Sequence, residues 1–257
     1  MTARRSPHAR WVVRTLVLGL VAVAAGYLLG IARTAPLSPS ADAAVTNVSP
    51  RLVRIAAFGD AGGGIEIAPV GVDADTLLIY YPGGRVRPHA YTWLGVALAP
   101  VGVRTLIPTM PFDLAVLGRD RATRLLDAKR DGERTVVLAG HSLGGAMAAS
   151  WARRNPGILD GLILLGAYPP RGDDLSALTL RTLVIAADQD RLATLQEVED
   201  GLARLPRDAG LERVPGAVHA FFGRYGPQVG DGLPSVTRHE AEMEIASGVE
   251  AFVESLR

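Results

Sequence analysis

From residue 51 onward, apolar positions form short continuous runs, separated by stretches in which they recur every three or four residues. "RLVRIAAF" (51–58) and "GIEIAPV" (64–70) meet at the glycine turn Gly62-Gly63-Gly64 and predict two short paired strands. "DTLLIYY" (75–81) is a continuous apolar, β-branched and aromatic run, as expected of a strand covered on both faces. "AYTWLGVALAPVG" (90–102) has helical spacing, and "VRTLIP" (103–108) is a further strand closed by Pro108. "DLAVLGRDRATRLLDAKRDG" (113–132) repeats apolar residues at three and four and predicts a helix ending at Gly132. "RTVVLAG" (134–140), "LDGLILLG" (159–166) and "LRTLVIAAD" (180–188) read as buried strands, and "LERV" (211–214) as a short one. "TLQEVEDGLARL" (194–205) and "EAEMEIASGVEAFVESL" (240–256) are amphipathic helices. A hairpin followed by alternating strand and helix predicts an α/β domain with a largely parallel sheet.

The N-terminus departs from this pattern. Arg4, Arg5, Arg10 and Arg14 precede "TLVLGLVAVAAGYLLGIA" (15–32), which carries no charge. As a helix that run spans about 27 Å, close to the roughly 30 Å of a bilayer's hydrocarbon core. Basic residues ahead of it place the N-terminus in the cytoplasm and the remainder outside. Residues 1–32 are therefore expected to form a cytoplasmic tail and transmembrane anchor. The alternative is a cleaved signal peptide with a small-x-small site at Ala41–Ala43, which is far from the apolar run, and it would give a secreted protein. The Pro-, Ser- and Ala-rich stretch 33–50 reads as a linker, leaving 51–257 as the domain.

Composition narrows the chemistry. The 257 residues contain no cysteine, which excludes disulfides, thiolate chemistry and cysteine-based metal sites. A net charge of +1 gives no reason to expect a nucleic-acid partner.

"VVLAGHSLGGAMAASWARR" (136–154) carries the chemistry. G-x-S-x-G between a buried strand and a small-residue helix is a nucleophile elbow, with Ser142 lifted clear of the sheet. Gly140 and Gly144 let strand and helix approach closely. A serine hydroxyl needs a base. Of the five histidines, His8 lies before the apolar run and His141, adjacent on a sharp turn, reads as a packing residue. His89 precedes the serine, against the serine, acid, histidine order of such elbows, and His239 falls in the last helix. His219 remains, in the loop after "LERV". The base needs a carboxylate to fix its tautomer. Asp188 and Asp190 stand together at the end of a strand, whereas Asp173 and Asp174 read as solvated loop residues or a helix cap.

"YYPGG", "AYTWL", "MPFDLAVL", "GHSLGG", "ADQD" and "HAFFGRYGPQVGDG" together resemble the α/β-hydrolase superfamily, in its small single-domain branch with an N-terminal membrane anchor. They span residues 80–232. The resemblance implies an α/β-hydrolase fold with Ser142 as nucleophile and His219 as base. It also implies Asp190 as the acid, three residues after Ala187, with Asp188 capping the loop. The implied oxyanion hole joins the Leu143 N–H to one from the loop after the third strand. That loop reads Pro82-Gly83-Gly84 where relatives carry His-Gly-x, so Gly84 is the matching donor and Gly83 the next candidate.

The expected activity is cleavage of an ester or related acyl bond in a small-molecule or lipid-like substrate, through an acyl-enzyme. No metal or organic cofactor is implied. Acyl transfer by the same residues, or an inactive binding protein on the same fold, are the alternatives. The gap "AYPPRGDDLSALTL" (167–180) is too short for a cap domain, so an open cleft with Tyr168 and Arg85 on its rim is expected.

Overall fold

The structure is a computed structural model. It describes residues 37–40 and 52–257 and, of the first 36, Trp11, Arg14, residues 17–23 and Gly26. Two compact units divide the chain, Met1–Pro36 and Leu37–Arg257. In the first, the described positions are helical. The expected anchor (15–32) and linker (33–50) lie for the most part outside the described residues, among which no helix is long and apolar enough to cross a membrane. Leu37–Ser40, within the expected linker, is part of the second unit and pairs with its body through the bridges Leu37–Val86 and Pro39–Tyr225.

The second unit carries the strands β1 (Val53–Phe58), β2 (Gly64–Pro69), β3 (Thr76–Tyr81), β4 (Val103–Pro108), β5 (Thr135–His141), β6 (Gly161–Leu165), β7 (Arg181–Ala187) and β8 (Gly210–Val214). Its helices are α1 (Thr92–Leu98), α2 (Arg121–Lys129), α3 (Leu143–Arg154), α4 (Leu195–Leu202) and α5 (Arg238–Glu254). One sheet runs in the order β1-β2-β4-β3-β5-β6-β7-β8. The β1–β2 and β2–β4 pairs are antiparallel and every later pair is parallel. This is the α/β-hydrolase fold expected from the sequence. No helix occupies the stretch between β6 and β7, so there is no separate cap.

Alternate residues of each strand feed opposite faces, as the pleat requires. Leu78, Tyr80, Val137 and Ala139 pack in a cluster with α1 and α5, which contribute Leu94, Leu98, Ile245 and Val249. Leu77, Ile79, Tyr81 and Leu138 pack with Leu125 of α2, Ala148 and Trp151 of α3 and Val198 of α4. In β3, β5, β6 and β7 both faces are buried, which explains their continuous apolar runs.

The segment 113–132 differs from its predicted single helix. The structure has 3₁₀ turns at Pro111–Asp113 and Ala115–Leu117 before α2 begins at Arg121. Phe112 and Asp113 take left-handed backbone, with φ of 53° and 56°. Gly118 then allows a close pass, since a Cβ there would lie 2.7 Å from Met110 Sδ. Val116 and Leu117 are exposed, so helical periodicity does not track burial there.

Trp151 is fully buried and its indole N–H donates to Thr123 Oγ1 at 3.0 Å. Trp151→Ala should cost about 3–5 kcal/mol of stability, read as a lowered denaturant midpoint. An unchanged midpoint would contradict the packing described here.

Candidate active site

β3 and β5 are neighbours with Tyr81 opposite Gly140, yet the chain visits β4 on the far side of β3 between them. Such a reversal opens a crevice at the carboxyl ends of the strands. The loops leaving β3 and β5 meet there. A Cβ at Gly144 would sit 2.2 Å from the Tyr81 carbonyl oxygen, and one at Gly140 would sit 2.5 Å from the Gly144 main chain. Between these glycines Ser142 adopts φ 53° and ψ −124°, a strained conformation for a residue with a side chain. Its N–H donates to the Leu165 carbonyl at 3.0 Å, tying the elbow to the end of β6. Ser142 is half-buried and open to solvent.

The structure pairs His219 with Asp190. Nδ1 lies 2.6 Å from Asp190 Oδ2, and both side chains are buried. The other carboxylate oxygen accepts the Leu192 and Ala193 N–H groups at 2.7 and 2.8 Å. With Nδ1–H donating to the carboxylate, Nε2 carries the free lone pair that a base needs. Asp188 instead accepts the Gly216 N–H at 2.6 Å, in the loop that carries His219. Asp190 also approaches the elbow, since a Cβ at Gly166, the residue after Leu165, would lie 3.3 Å from Oδ2. No hydrogen bond joins Ser142 Oγ to His219 among the described residues. Catalytic hydrogen bonds often tighten only around substrate.

Gly84 stands against the start of α3, where a Cβ would be 3.2 Å from Leu143 Cδ2. Neither the Gly84 nor the Leu143 N–H has a partner among the described residues. The Gly83 N–H is already used, donating to the Tyr91 hydroxyl at 2.9 Å. That hydroxyl also lies within hydrogen-bond distance of His141 Nδ1, at 2.9 Å.

His141 is thus built into the support of the glycine loop. It is fully buried, with ring centroids of His219, Phe222 and Tyr91 at 4.5, 5.4 and 5.8 Å. Its Nε2 has no hydrogen-bond partner of ordinary geometry.

Two supports carried no signal in the sequence. Tyr91 sits in an apolar helical pattern that gives no hint of its hydroxyl's partners. Asp231 accepts the His219 and Ala220 N–H groups at 3.1 and 2.9 Å, capping the turn that presents His219. Of the expected rim residues, Tyr168 packs against Gly201 of α4, where a Cβ would lie 2.5 Å from its own. Arg85 is half-exposed beside Gly84 in left-handed backbone with φ of 64°.

Burial pushes the His141 imidazole well below its ordinary value of 6.5, and nearby His219 adds to this. Below that pH the unfolded chain takes up a proton that the folded domain refuses, so stability falls as pH drops. The fall should approach about 1.4 kcal/mol per pH unit. Denaturant midpoints measured from about pH 8 to 5 should decline more steeply in the parent than in His141→Gln. Equal slopes would contradict the buried neutral imidazole.

The profile of the Alpha/beta hydrolase family matches residues 77–243, well over half of the chain. No curated protein matches it. Among solved structures it is similar to one described as a predicted CIB-like hydrolase from Thermoplasma acidophilum. The TM-score is 0.59 at 14% identity, covering 77% of this chain and 98% of that one, a likeness of fold. The chain belongs to the alpha/beta hydrolase family.

Proposed function

We propose that this hydrolase cleaves an ester or related acyl bond through an acyl-enzyme on Ser142. The observation that carries the reading is the buried pairing of His219 with Asp190 at 2.6 Å, at the same sheet end as a serine on strained backbone. His219 takes the hydroxyl proton as Ser142 attacks the carbonyl carbon, and then gives it to the leaving alcohol. The negative charge that develops on the carbonyl oxygen is held by the Gly84 and Leu143 N–H groups. Water activated by His219 then releases the acid. A half-buried serine and no cap let water reach the acyl-enzyme, which favours hydrolysis over transfer to another acceptor.

The chain should hydrolyse short-chain aryl esters, whose good leaving group asks least of the pocket. Ser142→Ala and His219→Ala should each remove turnover by on the order of 10⁶-fold, because the members act as one unit. Asp190→Asn should cost far more than Asp188→Asn, about 10⁴-fold in a comparable triad, by permitting the wrong tautomer. A larger loss at Asp188 would reverse the assignment. Ester hydrolysis that survives Ser142→Ala would end the reading.

The proposal extends to location: the run 15–32 anchors the chain, with the catalytic domain outside the cytoplasm. C-terminal fusions should then be active with a reporter that works outside the cytoplasm and silent with a cytoplasmic one. The opposite pattern would overturn the topology.

A further inference from the structure

Four residues of the stretch expected to be a linker belong to the site. The ring of Pro39 fixes its own φ and favours extended backbone at Ser38, so Leu37–Ser40 lies as a short strap. The Leu37 N–H donates to the Arg85 carbonyl at 2.8 Å, and the Ser40 N–H to the Arg224 carbonyl at 3.0 Å. The Gly226 N–H donates to the Ser38 carbonyl at a longer 3.4 Å. Arg85 follows Gly84, and Arg224 and Gly226 follow the turn that presents His219. The strap therefore joins the loop of the proposed oxyanion donor to the loop of the proposed base.

The sheet does not make that connection. The two loops leave β3 and β8, and β5, β6 and β7 stand between those strands. The strap is seated by apolar contact as well, since Leu37 packs against the core cluster that includes Val86 and Tyr225. Arg224 is pinned on its other side, where its N–H donates to the Ala90 carbonyl at 2.7 Å. Ala90 adjoins Tyr91, whose hydroxyl accepts the Gly83 N–H at 2.9 Å. The contacts close a circuit from Gly83 through Tyr91 and Arg224 to the strap, and back through Arg85. In a closed circuit neither loop can shift without stretching a bond elsewhere. Opening it at the strap leaves each loop held from one side.

We propose that Leu37–Ser40 is a brace that sets the separation between the Gly84 amide and the His219 imidazole. It acts through its main-chain N–H groups and does not touch substrate. This deepens the hydrolase reading above and rests on it. Attack by Ser142 needs the base and the oxyanion donor in place together, and misplacement by about 1 Å can cost roughly 10²-fold. Loosening the brace therefore slows the chemical step more than it weakens substrate binding.

The test uses the full-length chain and a soluble aryl ester. Ser40→Pro and Leu37→Pro each remove one N–H of the strap, whereas Ser40→Ala keeps it. Both proline variants should lose about tenfold in kcat with KM near the parent value, and Ser40→Ala should match the parent. Amide hydrogen exchange in segments 83–86 and 223–226 should rise in the proline variants alone, with the thermal midpoint of the domain little changed. Parental kcat in both proline variants, a raised KM at unchanged kcat, or an equal loss in Ser40→Ala overturns the proposal. Unchanged exchange in both segments overturns it too. A parent chain that cleaves no ester sinks the hydrolase reading instead, and faster exchange in the proline variants then leaves the brace standing.

Discussion

A side chain at residue 140 or 144 would drive a carbon to within 2.5 Å of main-chain atoms in the turn or in the neighbouring β3 loop. The contact between β5, α3 and the end of β3 therefore depends on two missing Cβ atoms. With them missing, the strand turns into the helix within one residue, and Ser142 is forced into left-handed backbone that points its hydroxyl away from the sheet. The same contact brings the Gly84 loop against the first turn of α3. The proposed nucleophile and oxyanion donors are set by one packing event.

Two hydrogen-bonded supports flank that contact. On one side Gly83 N–H, the Tyr91 hydroxyl and His141 Nδ1 form a buried chain that fixes the glycine loop. On the other, Asp190 holds the imidazole of His219 while Asp231 holds its main chain. Tyr91 reaches the glycine loop from the residue before α1 and Asp190 reaches His219 from just beyond the end of β7, so both are set by elements packed in the core. Strain at Ser142 persists because its neighbours over-determine it.

What the sequence made legible follows from the same physics. Strands buried on both faces leave continuous apolar runs, so β3, β5, β6 and β7 could be read directly. Gly140, Ser142 and Gly144 form a local pattern and announced the elbow. The segment 113–132 misled because Val116 and Leu117 keep helical spacing while facing solvent, and left-handed Phe112 and Asp113 leave no mark in the pattern. The residues alone left Asp188 and Asp190 open, since both end the same strand. The structure separates them by partner, Gly216 for one and His219 for the other. Tyr91 and Asp231 act through single bonds to distant main chain, and such bonds have no period to detect.

The account turns on whether Ser142 carries an activated hydroxyl beside a working oxyanion site. A fluorophosphonate probe needs both, because the hydroxyl must displace its leaving group while the phosphonyl oxygen is held. Peptide mapping of the labelled chain should place the adduct on Ser142, with labelling lost in His219→Ala although that variant stays folded. A folded parent chain that takes no probe, or an adduct on another residue, would contradict the account.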